Sequence, residues 1–322
     1  MSGKARLAVA AMALTVGLSE AFADDWRQPL ADALEGPDFT VEGGLYYKNN
    51  FEQSAGTVEF QTKEKLSGNG AVKLSIKPIC PTNPEGCSER AELWERPPLR
   101  VPYDQPIWYG FAVKFGDPIP QAAHRYLIAQ WKREIGPEAV GDFSPFLALR
   151  MKSGKLFVTV ETNFFPEFTP GTDNHPEYCE PGSTRVWPRP DTNQIRALIS
   201  ADSSWGPDDG HEFVACTSQI QVINRGNSLP RPDEGWIDFA IMTKPGAEGD
   251  GHIELFANNK WIVTVKGNIG HNDHGLGENQ YAKVGPYRAA ATDNWTMFYD
   301  SFRRSPHCED VLRDGAACAV IE

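Results

Sequence analysis

Residues 146–161 read FLALRMKSGKLFVTVE. Apolar and polar side chains alternate on both sides of Ser153-Gly154, a dipeptide suited to a two-residue hairpin turn. With Lys152 facing Lys155, the residues Leu147, Leu149 and Met151 share one face with Leu156, Val158 and Val160, while Arg150, Thr159 and Glu161 take the other. The first face is a core face. The second carries charge in a strand context and is where chemistry would be found.

The same period of two recurs outward from this hairpin, at Trp108 to Phe115, Tyr126 to Lys132, Trp236 to Met242, His252 to Phe256, Trp261 to Val265 and Trp295 to Arg303. Asn258-Asn259 offers a second two-residue turn, between His252 to Ala257 and Lys260 to Val265. Helical periodicity is scarce. The expected fold is therefore all-β, an antiparallel β-sandwich of jelly-roll type with a concave groove on one sheet. Between about 163 and 233 the alternation fades into Pro, Gly, Asn and charge, with a helical stretch expected around Asn193 to Ser200. That region reads as a loop-rich insertion forming a wall on a single domain spanning residues 24–322.

The chain of 322 residues is 40% hydrophobic and 11% aromatic, which excludes a disordered chain. Lys4 and Arg6 precede an apolar run from Leu7 to Leu18, and Ala21-Phe22-Ala23 follows, the layout of a signal peptide over residues 1–23. Its removal leaves 299 residues and, because it takes away Lys4, Arg6 and Glu20, moves the formal charge from −12 to −13. A secreted or periplasmic location is expected, with no membrane span and a monomeric state. Six cysteines in an exported chain suggest disulfides, and Cys80 to Cys87, Cys179 to Cys216 and Cys308 to Cys318 is the expected pairing, since each pair brackets a segment rich in Pro, Gly or charge. No Cys/His cluster has zinc spacing, and no basic run suggests nucleic acid.

Polar residues two apart mark several of the other strands. Arg90 and Glu92 oppose Ala91 and Leu93; Gln130 and Lys132 share a face in LIAQWK; Tyr281, Lys283 and Tyr287 share one in YAKVGPYR. Each alone reads as a solvated outer face. Together with Arg150 they would form a groove for an extended anionic polymer.

The order R-x-E-L, Q-x-(basic), Y-x-K-x-G-x-Y resembles that of the jelly-roll polysaccharide lyases, namely the heparin lyase I-like, alginate lyase and glucuronan lyase families. The resemblance runs from about Phe51 to Arg304, omitting 163–233. It implies cleavage of an acidic, uronate-containing polysaccharide by β-elimination. Arg90 and Gln130 would hold the uronate carboxylate, Tyr287 would serve as acid and as a candidate base, and Lys283 would orient substrate or keep Tyr287 deprotonated. Lys132, Arg150, Glu92, Tyr281 and Arg288 would be further substrate contacts. No cofactor or catalytic metal is expected; a structural calcium stays open.

The chain departs from the pattern at Lys132, where alginate and heparin lyases carry His. As a base, Lys132 would need its pKa lowered by burial or nearby cations. His124 could supply an imidazole from the strand entrance, as in the glucuronan lyases; His175, His211, His271 and His274 read as surface histidines. Pro286 inside a strand calls for an edge or a bulge. The negative net charge works against a polyanionic substrate except where local potential reverses it. Two other readings stay open. A glycoside hydrolase would need paired carboxylates across the groove, and a non-catalytic carbohydrate-binding protein would keep the groove but lose the acid.

Overall fold

The computed structural model describes residues 26–36, 46–51, 55–80, 87–165, 169–170, 179–206 and 208–321. The expected signal peptide and His175 lie outside the described residues.

Two antiparallel sheets form a β-sandwich of jelly-roll type. One sheet runs in the order β15 (Ile220–Asn224), β18 (Lys260–Ile269), β17 (Gly246–Ala257), β16 (Ile237–Lys244), β7 (Ile107–Phe115), β20 (Trp295–Ser305), β4 (Ala71–Ile76) and β3 (Gly56–Gln61), with β1 (Leu30–Asp32) beside β20. The other runs β11 (Thr169–Pro170), β14 (Ala215–Thr217), β12 (Thr184–Arg189), β13 (Gln194–Ala201), β10 (Lys155–Asn163), β9 (Leu147–Lys152), β8 (Tyr126–Ile135), β19 (Leu276–Ala289), β5 (Ser88–Glu95) and β2 (Tyr46–Phe51), with β6 (Val101–Pro102) on β19. Alternate residues of the two sheets meet in one core. Leu149, Met151, Val158 and Val160 come from the second sheet, and Phe111, Phe239, Ile241, Leu255 and Trp295 from the first.

Both hairpins form in the expected register. Lys152 pairs with Lys155 and Ala257 with Lys260, and the turn residues Ser153, Gly154, Asn258 and Asn259 all have positive φ, which gives the turn the twist of its strands. The three disulfides join Cys80 to Cys87, Cys179 to Cys216 and Cys308 to Cys318, as expected.

The region after Asn163 departs from expectation. Gln194–Ala201 is a strand rather than a helix: Ile195, Ala197 and Ile199 enter the core, and β10 and β12 pair on either side. With β12 and β14 it widens the second sheet, so much of this region is floor rather than loop. Pro286 sits in a bulge, where Gly285 and Pro286 oppose the single residue Ile128 between the pairs Val284–Ala129 and Tyr287–Leu127. Gly285 has φ 133°, and a Cβ there would lie 2.1 Å from the Ala91 carbonyl oxygen, so the bulge requires glycine.

Candidate active site

Because strands of the second sheet pair in register, residues on its open face fall into rows across it. One row carries Arg90, Tyr287, Leu127 and Arg150. The next carries Trp94, Lys283 and Gln130, and a third carries Tyr281 and Lys132. Glu161, Arg196 and Trp187 continue the same face across β10, β13 and β12. Tyr287 stands on this face together with Lys283, four residues earlier, across the bulge at Gly285 and Pro286, which adds one residue to β19 relative to β8.

Tyr287 is held between two cations. The Arg90 guanidinium lies 4.1 Å from its ring centre and that of Arg125 lies 4.7 Å away. Arg90 is in turn 3.7 Å from Glu92, which is buried and accepts a hydrogen bond from the Gln130 amide. Gln130 therefore directs one amide N–H at the protein's own carboxylate, and Glu92 positions Arg90 and Gln130 instead of meeting solvent.

Lys132 is partly buried, and its ammonium makes no hydrogen bond or ion pair with any described residue. Burial pushes it below the usual lysine range; Asp142 and Glu92 oppose that shift and Arg90 adds to it. Beside it in the electrostatics stands His271, only 2% exposed, with neither ring nitrogen hydrogen-bonded among the described residues and its ring 5.8 Å edge-on from Phe143. Burial pushes this imidazole down, with Lys132 acting in the same direction and Glu161 and Asp273 against it. His271 read as a surface histidine; it is buried because Gly270 bridges to Thr162 and Arg133 and Tyr103 clamp the backbone of the turn.

Other expected contacts fall elsewhere. Arg288 is a correction: it follows Tyr287 by one residue, faces the opposite side, and is fully buried in a 2.7 Å ion pair with Glu89. Lys283 is buried with its ammonium 3.6 Å over Trp94 and 5.8 Å from the Tyr281 ring, while Arg100 covers Tyr281 at 4.4 Å. The cations against Tyr287 are thus Arg90 and Arg125, and Lys283 is packed into an aromatic cluster. His124 stacks on Tyr126 at 4.4 Å, its Nε2 3.1 Å from the tyrosine hydroxyl, and burial pushes it below the usual histidine range. Arg150 is buried, its guanidinium bound to Thr159 and Glu161.

His124, Arg125 and Arg150 line a cavity of about 470 Å³ beside Tyr287, whose far wall holds Trp187, Arg189 and Arg196. Sequence reading did not single out Arg125, Arg189 or Arg196. Arg125 precedes its strand, and the other two sit in the stretch where alternation is obscured. Among the described residues no group of three or more His, Cys, Asp or Glu could hold a metal ion, and no helix is long and apolar enough to cross a membrane.

A sequence profile described as polysaccharide lyase matches residues 40–303. No curated protein matches the chain. Among solved structures, an endo-beta-1,4-glucuronan lyase from the fungus Trichoderma reesei shares the fold with a TM-score of 0.56 at 13% identity, over 84% of this chain and 94% of that one. Alginate lyase vAL-1 from Chlorella virus aligns with a TM-score of 0.44 at 12% identity over 83% and 96% of the two chains. The cellulose induced protein Cip1 aligns at 0.43 and 14% over 86% and 97%.

Proposed function

The chain belongs to the polysaccharide lyase family and is a carbon–oxygen lyase, and from this premise we propose that it cleaves a uronate-containing polysaccharide by β-elimination at the Arg90, Gln130, Lys132 and Tyr287 group. The observation that carries the reading is the packing of Tyr287 between Arg90 and Arg125, on the sheet face that also bears Gln130 and Lys132.

In this scheme Arg90 pairs with the uronate carboxylate, which acidifies the adjacent carbon, and Gln130 contributes its remaining amide N–H. Lys132 in its neutral form takes the proton from that carbon. A phenolic proton of Tyr287 passes to the glycosidic oxygen as its bond to the next carbon breaks, leaving a carbon–carbon double bond conjugated to the carboxylate. Lys132 suits the base role because it is partly buried, makes no ion pair among the described residues and is pushed toward the neutral form by burial. A site of the heparin lyase I or alginate lyase kind carries His at this position; in this scheme an amine takes its place. An exported location fits the three disulfides.

The test is ultraviolet absorbance during incubation with glucuronan, alginate, heparin-like glycosaminoglycans, pectate and a neutral glucan. A rise with an acidic polymer identifies elimination and the sugar class together. Release of reducing ends without absorbance would replace the scheme with hydrolysis, and binding without either would leave a carbohydrate-binding protein. Tyr287→Phe is expected to abolish turnover with binding nearly unchanged.

A further inference from the structure

Apart from the Tyr287 group, the open face holds a second concentration of charge. Glu161 is fully buried, and its carboxylate meets Arg150 at 2.8 Å, Arg196 at 2.8 Å and Arg189 at 3.1 Å. Burial pushes its carboxyl up, but Arg196, Arg150 and Arg189 outweigh that and hold it below the usual carboxylate range. Three guanidiniums around one carboxylate leave cationic charge unmatched, and enclosing such charge is unfavourable. Arg150 is pushed down to about 9, first by burial and then by Arg196. Asp142 acts on Arg189 from a neighbouring loop, while Glu212, the acid in the cavity lining, is taken up by Lys152 at 3.1 Å.

Donors remain unused. Arg196 reaches Glu161 through Nε, and its terminal nitrogens have no hydrogen-bond partner among the described residues. The Arg125 guanidinium likewise makes no hydrogen bond or ion pair with a described residue. Arg189 and Arg196 flank the Trp187 ring at 5.3 and 5.1 Å, which fixes an aromatic surface beside the cationic one. The cavity of about 470 Å³ is of a size for a small ligand group. Its floor residue Arg150 lies two strands from Tyr287 in the same row, about 10 Å away at the usual ~4.8 Å strand spacing. A group bound there and one bound at Tyr287 would belong to different sugars.

We propose that the cavity bounded by Arg150, Arg189, Arg196 and Trp187 is a second anion subsite, taking the carboxylate of another uronate in the same polymer. The substrate then carries uronates in succession rather than singly among neutral sugars. The inference rests on the elimination reading for the identity of the polymer, and on the geometry of this cavity alone for the anion.

The experiment is calorimetric titration of the full-length Tyr287→Phe protein, which separates binding from turnover. The probes are 1,4-linked tetrasaccharides of glucuronate, mannuronate and guluronate, their carboxyl-reduced counterparts, and a sulfated neutral tetrasaccharide. One uronate tetrasaccharide should bind, weaken about tenfold or more when Arg189→Gln is added, and weaken by more than that on carboxyl reduction, which also removes the carboxylate held by Arg90; the reduced probe should be indifferent to Arg189→Gln. Trp187→Ala, which should likewise weaken the native probe, gives an independent arm from the aromatic side, so the result survives if Arg189→Gln folds poorly. Equal affinity for native and reduced probes, absence of any uronate binding, or preference for the sulfated neutral probe would overturn the subsite. Binding through Arg189 without absorbance change in the active enzyme would remove the elimination reading and keep the subsite; elimination without dependence on Arg189 would do the reverse.

Discussion

Lys132 is the residue on which the proposed chemistry differs from a histidine-based site. Lys132→Arg keeps the charge but, with a guanidinium that does not deprotonate in this range, should lower kcat at least about a hundredfold, as removal of a general base does. Lys132→His should restore part of the rate and move the acidic limb of the kcat/KM profile toward about 6.5. An unchanged profile in Lys132→His would show that Lys132 does not carry the proton. His271 makes a separate prediction about stability. Its pKa is lowered by burial from 6.5, so the unfolded chain binds the proton more readily and the folded state loses stability as pH falls below that value. Thermal melts between pH 8 and 5 should show this fall, and His271→Gln should flatten it. Arg90, Gln130 and Tyr287 were legible as site candidates because they sit two apart from apolar partners in strands. Arg125 was not, since a residue before the first paired position carries no alternation. Arg288 was misread because its charge was weighed without its parity: one step from Tyr287 turns it toward Glu89.

Elements were legible where a turn fixes their register. Ser153-Gly154 and Asn258-Asn259 each permit two consecutive positive φ values, so each hairpin follows from local chemistry. Gln194–Ala201 was not legible, because Ile195, Leu198 and Ile199 have helical spacing while Ile195, Ala197 and Ile199 have strand spacing; pairing with β10 and β12 decides between them. Its neighbours Thr184–Arg189, which contains Pro188, and the short Ala215–Thr217 are too brief or interrupted to signal by themselves. The bulge in β19 gives the sharpest prediction at this scale. Gly285→Ala places a methyl group against the Ala91 carbonyl and strains a φ of 133°, at a cost of about 1–3 kcal/mol. Since the bulge also aims Tyr287, kcat should fall more than the loss of folded protein explains, which parallel melts and rate measurements would separate. Retained kcat would mean that Tyr287 is positioned by Arg90 and Arg125 alone.

Across the whole molecule, net charge and local charge have opposite signs. At −12 overall, the protein repels a polyanion at a distance, yet Arg90, Arg125, Arg150, Arg189 and Arg196 gather on one sheet face. Raising ionic strength from 0.01 to 0.15 M shortens the screening length from about 30 to about 8 Å. The long-range repulsion should be damped first, so kcat/KM on the polymer is expected to rise over this interval; a monotonic fall would mean that the cationic face governs encounter from the start. The wall of the cavity also depends on the Cys179–Cys216 bond, which spans 37 residues and encloses both Trp187 and Arg196. Replacing both cysteines by serine should lower stability by about 2–4 kcal/mol in denaturant titrations. The width of the second sheet has a further consequence for how products would accumulate. Arg150 and Tyr287 stand on one rigid floor two strands apart, so a polymer severed beside Tyr287 would remain tethered by the sugar held at the arginines. The tethered end would meet the site at high effective concentration, and successive cuts on one chain would outpace capture of a new one, leaving short fragments beside uncut polymer early in the reaction.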